Sequence, residues 1–167
     1  MVIAPSRRGL LAGLAALAAC PGALRAEEVI ELQWRDLLPE GETDFKEMLQ
    51  GLSPHDETAL AASQPPMTGV RTDWNGRIVR LPGYIVPLDY SGTGVTAFIL
   101  VPFVGACVHV PPPPANQLVF VTTPEPYESA GLFEAVWVSG MFGTAATYTQ
   151  LAEIGYALSA ERIEPYY

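Results

Sequence analysis

Two hydrophobic patterns follow one another along the chain after its first 26 residues. Between residues 27 and 66, apolar side chains recur at three- and four-residue intervals, as at Phe45, Met48, Leu49 and Leu52. This spacing is typical of an amphipathic helix. From residue 67 onward, short apolar runs rich in Val, Ile and Phe alternate with turn signals. The sequence therefore predicts a helical N-terminal arm over residues 27–66 and a β domain over residues 67–167.

Five strands are predicted in the β domain. Asn75-Gly76 is a strong turn signal, and Pro82-Gly83 interrupts the run that follows, which predicts a bulge or bend there. The predicted strands cover residues 77–88, 95–101, 118–122, 135–142 and 156–163. Five short strands with irregular turns predict a mainly β fold, a small OB-like β-barrel preceded by the helical arm. A β-sandwich is the alternative.

The first 26 residues have the pattern of an export signal. Arg7 and Arg8 precede an apolar run that ends at Ala19, and this run is shorter than the ~20 residues that span a bilayer. Paired arginines before such a run resemble a twin-arginine signal. Cleavage after Ala26 would release a soluble periplasmic protein. Cys20 closes a lipobox-like Leu-Ala-Ala-Cys, so a lipid anchor at Cys20 is the alternative.

Composition narrows the classes of function. The sequence is 49% hydrophobic with a formal net charge of −9, so it can build a core and is not a disordered chain. A nucleic-acid-binding surface needs clustered Lys and Arg. An acidic chain with nine basic residues argues against that class of partner.

The candidate functional segment lies between the second and third predicted strands. The chain has two Cys and two His, and one of each stands here as Cys107 and His109, followed by Pro111, Pro112, Pro113 and Pro114. Four prolines predict a stiff polyproline II segment. Whether Cys20 is removed with the signal or carries a lipid, Cys107 is the single free thiol of the exported protein. Such a thiol is buried and inert, or it is a metal ligand, or it is a reactive group.

A transition-metal site is one interpretation of this segment. If residues 107–109 are extended, the thiol and the imidazole share one face. Both are good ligands for zinc or copper. The prolines would hold the loop rigid, and Asn116 and Gln117 would fix it by hydrogen bonds. Two ligands do not complete a site, so others would have to come from water, a partner protein, or the side chains of His55, Asp73 or Asp89.

Two further interpretations use the same residues. In the first, the segment is a pure interaction module whose proline segment docks on aromatic side chains of another protein, while Cys107 and His109 have packing roles only. In the second, Cys107 is the nucleophile of a thiol enzyme, His109 lowers its pKa, and Asn116 orients the ring. The sequence contains none of the common nucleotide-binding, metalloprotease or serine-hydrolase motifs.

Several blocks of the sequence resemble a known family. They are Gly83–Leu88 (GYIVPL), Phe98–Pro102 (FILVP), the GACVHV block at 105–110 with its prolines and Asn116-Gln117, VWVSG at 136–140, GYAL at 155–158, and Glu164-Pro165-Tyr166. In this order they resemble the exported bacterial proteins known as domain of unknown function 3299. The resemblance implies a small periplasmic or lipid-anchored β domain that accompanies ABC-type transport systems, some of them linked to metal supply. It carries over no catalytic residues.

The expectation from the sequence is thus a non-catalytic periplasmic accessory protein. It would bind zinc, copper or a transport-complex partner through the Cys107–His109–polyproline loop, with membrane contact only through an anchor at Cys20.

Overall fold

Six β-strands and two short 3₁₀ turns form the part of the chain that the computed structural model describes, which is residues 28–45, 47, 64–108 and 112–166. The 3₁₀ turns are Trp34–Leu37 and Ala115–Gln117. The strands are β1 (Ile30–Glu31), β2 (Arg77–Ser91), β3 (Gly94–Val101), β4 (Val119–Tyr127), β5 (Ala135–Tyr148) and β6 (Glu153–Pro165). The prediction of a mainly β fold is confirmed.

Five of these strands close into a barrel. Their order is β2-β3-β4-β6-β5, and β5 pairs back with β2. All neighbours are antiparallel except β4 and β6, which are parallel. The short β1 is added outside the ring and pairs in parallel with β2 at Val79 and Arg80. A closed ring of five strands confirms the predicted small OB-like barrel and rules out the β-sandwich.

The long strand β2 changes partner in its middle. Its first half pairs with β5, from Arg77 to Tyr84, and its second half pairs with β3, from Tyr84 to Ser91. Pro82-Gly83 lies at this change, as the predicted bend did. A Cβ on Gly83 would stand 2.7 Å from Cγ of Leu100 and 2.9 Å from the carbonyl oxygen of Val101. Glycine is therefore required here because β2 and β3 approach closely.

Apolar side chains on the two faces of the strands form two buried clusters. On β3, Phe98 and Leu100 belong to the cluster that fills the barrel. Ile99 and Val101 belong to a second cluster on the other face of the strand. Because β3 is covered on both faces, its residues 97–101 are continuously apolar rather than alternating. The second cluster, which we call the outer cluster, consists of Val86, Ile99, Val101, Ala106, Leu118, Ala152 and Ile154.

The N-terminal arm is fastened to the barrel by polar contacts as well as by buried leucines. The indole Nε1 of Trp34 donates to the carbonyl of Pro82 at 2.7 Å, and the hydroxyl of Tyr156 donates to the carbonyl of Leu37 at 2.6 Å. The same hydroxyl accepts the backbone N–H of Arg71 at 2.7 Å. Tyr156 thus joins the arm, the segment before β2 and strand β6.

The predicted helical arm is not supported by the described residues. They form β1 and one 3₁₀ turn, and helical backbone occurs only at Phe45 and Glu47. The physical reason is that the leucines at 32 and 37 are held by backbone contacts with the barrel rather than by a helix of their own. The remainder of the prediction, residues 48–63 with His55, lies outside the described residues. No helix within the described ranges is long and apolar enough to cross a membrane.

Candidate functional site

The candidate segment is the connection from β3 to β4. It begins at Pro102, makes a turn over residues 104–108, and re-enters the barrel through the 3₁₀ turn Ala115–Gln117. Residues 109–111 lie outside the described residues, so the structure does not place His109 or Pro111. Arg7, Arg8 and Cys20 lie outside them as well.

Cys107 lies in a turn and not in an extended strand. Its φ is +66° and that of Gly105 is +95°, and the N–H of Val108 donates to the carbonyl of Gly105 at 3.3 Å. The metal interpretation assumed an extended chain over residues 107–109, with the thiol and the imidazole of His109 on one face. That assumption is wrong at Cys107. The neighbouring Ala106 is fully buried in the outer cluster.

Apolar neighbours surround the thiol of Cys107. The side chain is half-buried and packs with Phe103 against the outer cluster. Burial raises the pKa of the Cys107 thiol from 9.0 to about 12, because an apolar environment disfavours the thiolate. The thiol is therefore neutral at neutral pH. This is opposite to the low pKa that a thiol nucleophile needs.

The described residues bring no set of metal ligands together. Among them there is no group of three or more His, Cys, Asp and Glu side chains that could hold a metal ion. Asp73 is paired with Arg71 at 2.9 Å, and this guanidinium lowers the pKa of the Asp73 carboxyl. His55 and His109 lie outside the described residues.

The proline run is packed against the protein over part of its length. Pro113 is buried, whereas Pro112 and Pro114 are half-exposed. The carbonyl of Pro113 accepts a hydrogen bond from Nε2 of Gln64 at 2.8 Å. Pro114 has φ −52° and ψ 151°, close to polyproline II. A partner could therefore reach only part of this run.

Asn116 and Gln117 are buried residues that connect the loop to the N-terminal arm. Asn116 donates from Nδ2 to Oε2 of Glu42 at 3.2 Å and to the carbonyl of Gly69 at 3.0 Å. Gln117, which is 0% exposed, donates from Nε2 to the carbonyl of Trp34 at 3.0 Å. The oxygens Oδ1 of Asn116 and Oε1 of Gln117 have no hydrogen-bond partner among the described residues. Both residues act here as donors that hold the end of the loop.

Two aliphatic side chains stand out from the turn around Cys107. Val104 is 60% exposed and Val108 is 45% exposed, although Ala106 between them is completely buried. The sequence carries no Asp, Glu, Lys or Arg between Asp89 and Glu125. The turn is therefore an uncharged apolar projection from an acidic protein.

A second loop, which sequence reasoning missed, packs on the same outer cluster. Phe133 has a φ of +62°, contacts the outer cluster, and donates its N–H to the carbonyl of Ile85 at 2.8 Å. Its neighbour Leu132 is 51% exposed. The carboxylate of Glu134 accepts hydrogen bonds from the Tyr127 hydroxyl, the Ser129 hydroxyl and the Ala130 N–H. No pattern in the residues around Phe133 indicates this packing.

Comparison with known proteins adds a family and a solved relative. A family model described as "Protein of unknown function (DUF3299)" matches residues 34–165. The chain is also similar to a DUF3299 family protein of Pseudomonas aeruginosa PAO1 with a crystal structure, at 38% sequence identity and a TM-score of 0.72. The match covers 84% of this chain and 97% of that one. No curated protein matches the sequence.

Proposed function

We propose a function in protein binding for this chain, which belongs to the DUF3299 family of proteins of unknown function. It acts as a non-catalytic accessory protein outside the cytoplasm and docks on another protein through the turn Phe103–Val108. Export rests on the signal-like pattern of residues 1–26, with Arg7 and Arg8 before the apolar run. The family resemblance makes a component of a membrane transport complex the first partner to test.

The observation that carries this proposal is the exposure of Val104 and Val108 on a turn with a buried centre. Ala106 lies in the outer cluster, so the centre of the turn is packed against the barrel while the two valines project from it. A surface ordered before binding loses less conformational entropy when a partner docks. Leu132, on the loop that packs against the same cluster, adds a third exposed aliphatic side chain.

The loop beyond the turn supports the docking role. Pro113 is tied to Gln64, and Asn116 and Gln117 are tied to the arm and to Gly69. These bonds hold the connection to β4 and leave the turn as the part that projects. In this proposal Pro111–Pro114, Asn116 and Gln117 support the surface. The raised pKa of Cys107 is the reason for proposing a binding role over thiol catalysis.

Docking through the turn can be tested by crosslinking in cells. A photoreactive amino acid at Val104 or Val108 should crosslink to one and the same partner protein, identified by mass spectrometry. A photoreactive amino acid at Tyr90, which is equally exposed at 60% on β2, is the matched control and should not give that product. If the control position captures the same protein, or neither valine position captures any, the turn is not the docking surface.

A metal-binding role at Cys107 is the second candidate, and the backbone of Cys107 favours it. A non-glycine residue in the left-handed region costs about 1–2 kcal/mol relative to the right-handed form, and such residues concentrate at functional sites. A thiol and the imidazole of His109 would suit zinc or copper. Burial opposes thiolate formation, so only a bound cation would stabilise the thiolate in this environment.

Metal content distinguishes this candidate from docking alone. We expect mass spectrometry to find zinc or copper near one equivalent in protein purified without chelators, and to find it lost in Cys107→Ser and His109→Ala. A parent protein that stays empty after incubation with Zn²⁺ or Cu⁺ would end the metal candidate and leave docking unaffected.

A further inference from the structure

The end of strand β5 extends beyond the barrel as an edge. β2 pairs with β5 only as far as Phe142, whereas β5 continues to Tyr148 and pairs with β6 over this stretch. At Thr144 the side chain of Asn75 takes the place of a neighbouring strand. Its Oδ1 accepts the Thr144 N–H at 2.8 Å, and its Nδ2 donates to the Thr144 hydroxyl at 3.1 Å. Within the described residues no strand pairs with the remaining edge, residues 145–148.

A bulge at this edge forms one side of an apolar cavity. Thr144 pairs with Tyr156 and Thr147 with Ile154, so Ala145 and Ala146 both face Gly155 as a β-bulge. The cavity has a volume of about 150 Å³ and is lined by Met67, Val70, Thr144, Ala145, Ala146 and Gly155. An apolar cavity of this volume can hold a group as large as benzene. It is therefore large enough for one aliphatic side chain.

Charge near the edge selects among possible occupants. No Asp, Glu, Lys or Arg occurs between Glu134 and Glu153, so Glu153 is the first charged residue that follows the edge along the chain, and it lies on β6, across β5 from the free edge. It lies opposite Tyr148, whose hydroxyl contacts its carboxylate. Glu153 and Gly155 are two residues apart on β6 and so share a face of the sheet. The cavity and the carboxylate therefore lie on the same face, about 7 Å apart along the strand.

We infer that the edge of β5 at residues 145–148 binds an extended peptide segment of a partner protein. The segment adds a strand to the sheet, places one apolar side chain in the cavity, and brings a Lys or Arg two residues away to Glu153. Backbone hydrogen bonds along a sheet edge supply affinity and pockets for alternate side chains supply specificity. An edge of four residues with one pocket fits a short segment. A second copy of this chain is a less favourable occupant, because pairing edge to edge would bring two bulges and two net charges of −9 together. This inference is independent of the docking turn.

Synthetic peptides test the inference directly. Nine-residue, strand-forming peptides carry one Leu and one Lys two positions apart, in either order, and are titrated into the full-length protein by fluorescence anisotropy. Either the peptide with Leu before Lys or the peptide with Lys before Leu should bind, and its titration should reach saturation. Replacing its Leu by Ser should weaken binding about tenfold, and replacing its Lys by Glu should weaken it about threefold, as for an exposed ion pair. Methylation of one backbone nitrogen that faces the edge should also weaken binding.

Variants of the protein decide the outcome. Glu153→Lys should reverse the preference between the Lys and Glu peptides. Glu161→Lys, an exposed residue of the same strand with the same change of charge, should behave like the parent. Ala146→Trp, at an exposed position that lines the cavity, should abolish binding without unfolding the protein, as checked by circular dichroism. The inference fails if neither peptide order binds, if Glu153→Lys and Glu161→Lys behave alike, or if the parent sediments as a dimer that Ala146→Trp dissociates, since a second copy would then occupy the edge.

Discussion

At the scale of single residues, Cys107 shows how the surroundings of a side chain decide its chemistry. The sequence offered a thiol one residue away from an imidazole, and this spacing fits a ligand pair or a nucleophile with its base. The structure places the thiol in a turn against apolar side chains, where burial raises its pKa to about 12. Cys107 is thus a weaker acid than an exposed thiol, because it packs against apolar side chains.

This raised pKa predicts slow alkylation of Cys107 in native, chelator-treated protein. Since the thiolate is the reactive form, labelling by iodoacetamide should be slow at pH 8 and rise about tenfold with each pH unit. In urea the pKa returns toward 9.0 and labelling should accelerate. Peptide mass spectrometry separates Cys107 from Cys20. Native labelling as fast as that in urea would contradict the burial of this thiol.

The raised pKa of Cys107 also makes the stability of the folded state decrease with pH in alkaline solution. The folded state holds the proton of Cys107 more tightly than the unfolded state does, so its contribution to stability is fully present below pH 9. It is lost as the pH rises from 9 toward about 12. Cys107→Val, which cannot ionise, should lose less stability than the parent over that interval, as measured by the urea midpoint.

At the scale of elements, composition predicted where strands lie better than where they end. The run predicted over residues 95–101 became β3, because its five consecutive apolar residues at 97–101 suit a strand that is covered on both faces. The strand predicted to end at residue 142 continues to Tyr148. Its alternation of buried and less buried side chains ends after Phe142, shortly before the bulge at Ala145 and Ala146.

The candidate site was less predictable than the strands for a related reason. The metal interpretation assumed an extended chain over residues 107–109, whereas Cys107 has a left-handed backbone next to the fully buried Ala106. Similarly, nothing in the residues near Phe133 indicates that their loop would pack on the same cluster as the Cys107 turn. These features depend on contacts between distant parts of the chain, which local patterns do not contain.

At the scale of the whole molecule, the barrel closes through contacts far apart in sequence. The parallel pairing of β4 with β6 and the return of β5 to β2 complete the ring. The arm is then fastened across it by Trp34, Gln117 and Tyr156. The hydroxyl of Tyr156 has a special position among these, because it binds both Leu37 of the arm and Arg71 ahead of β2 while its ring stacks on Phe142 in the core, at 5.1 Å between ring centres.

Removing this one hydroxyl should therefore loosen the arm while the barrel stays intact. Tyr156→Phe keeps the ring and its stacking but leaves the Leu37 carbonyl and the Arg71 N–H without their partner, which costs about 1–3 kcal/mol. Urea unfolding measures this loss, and hydrogen exchange should show faster exchange at the Leu32 N–H, which bonds to Arg80. Tyr90→Phe removes a hydroxyl from a ring that is 60% exposed and is the matched control. If both variants lose equal stability, the buried hydroxyl does not fasten the arm, and the buried leucines alone hold it to the barrel.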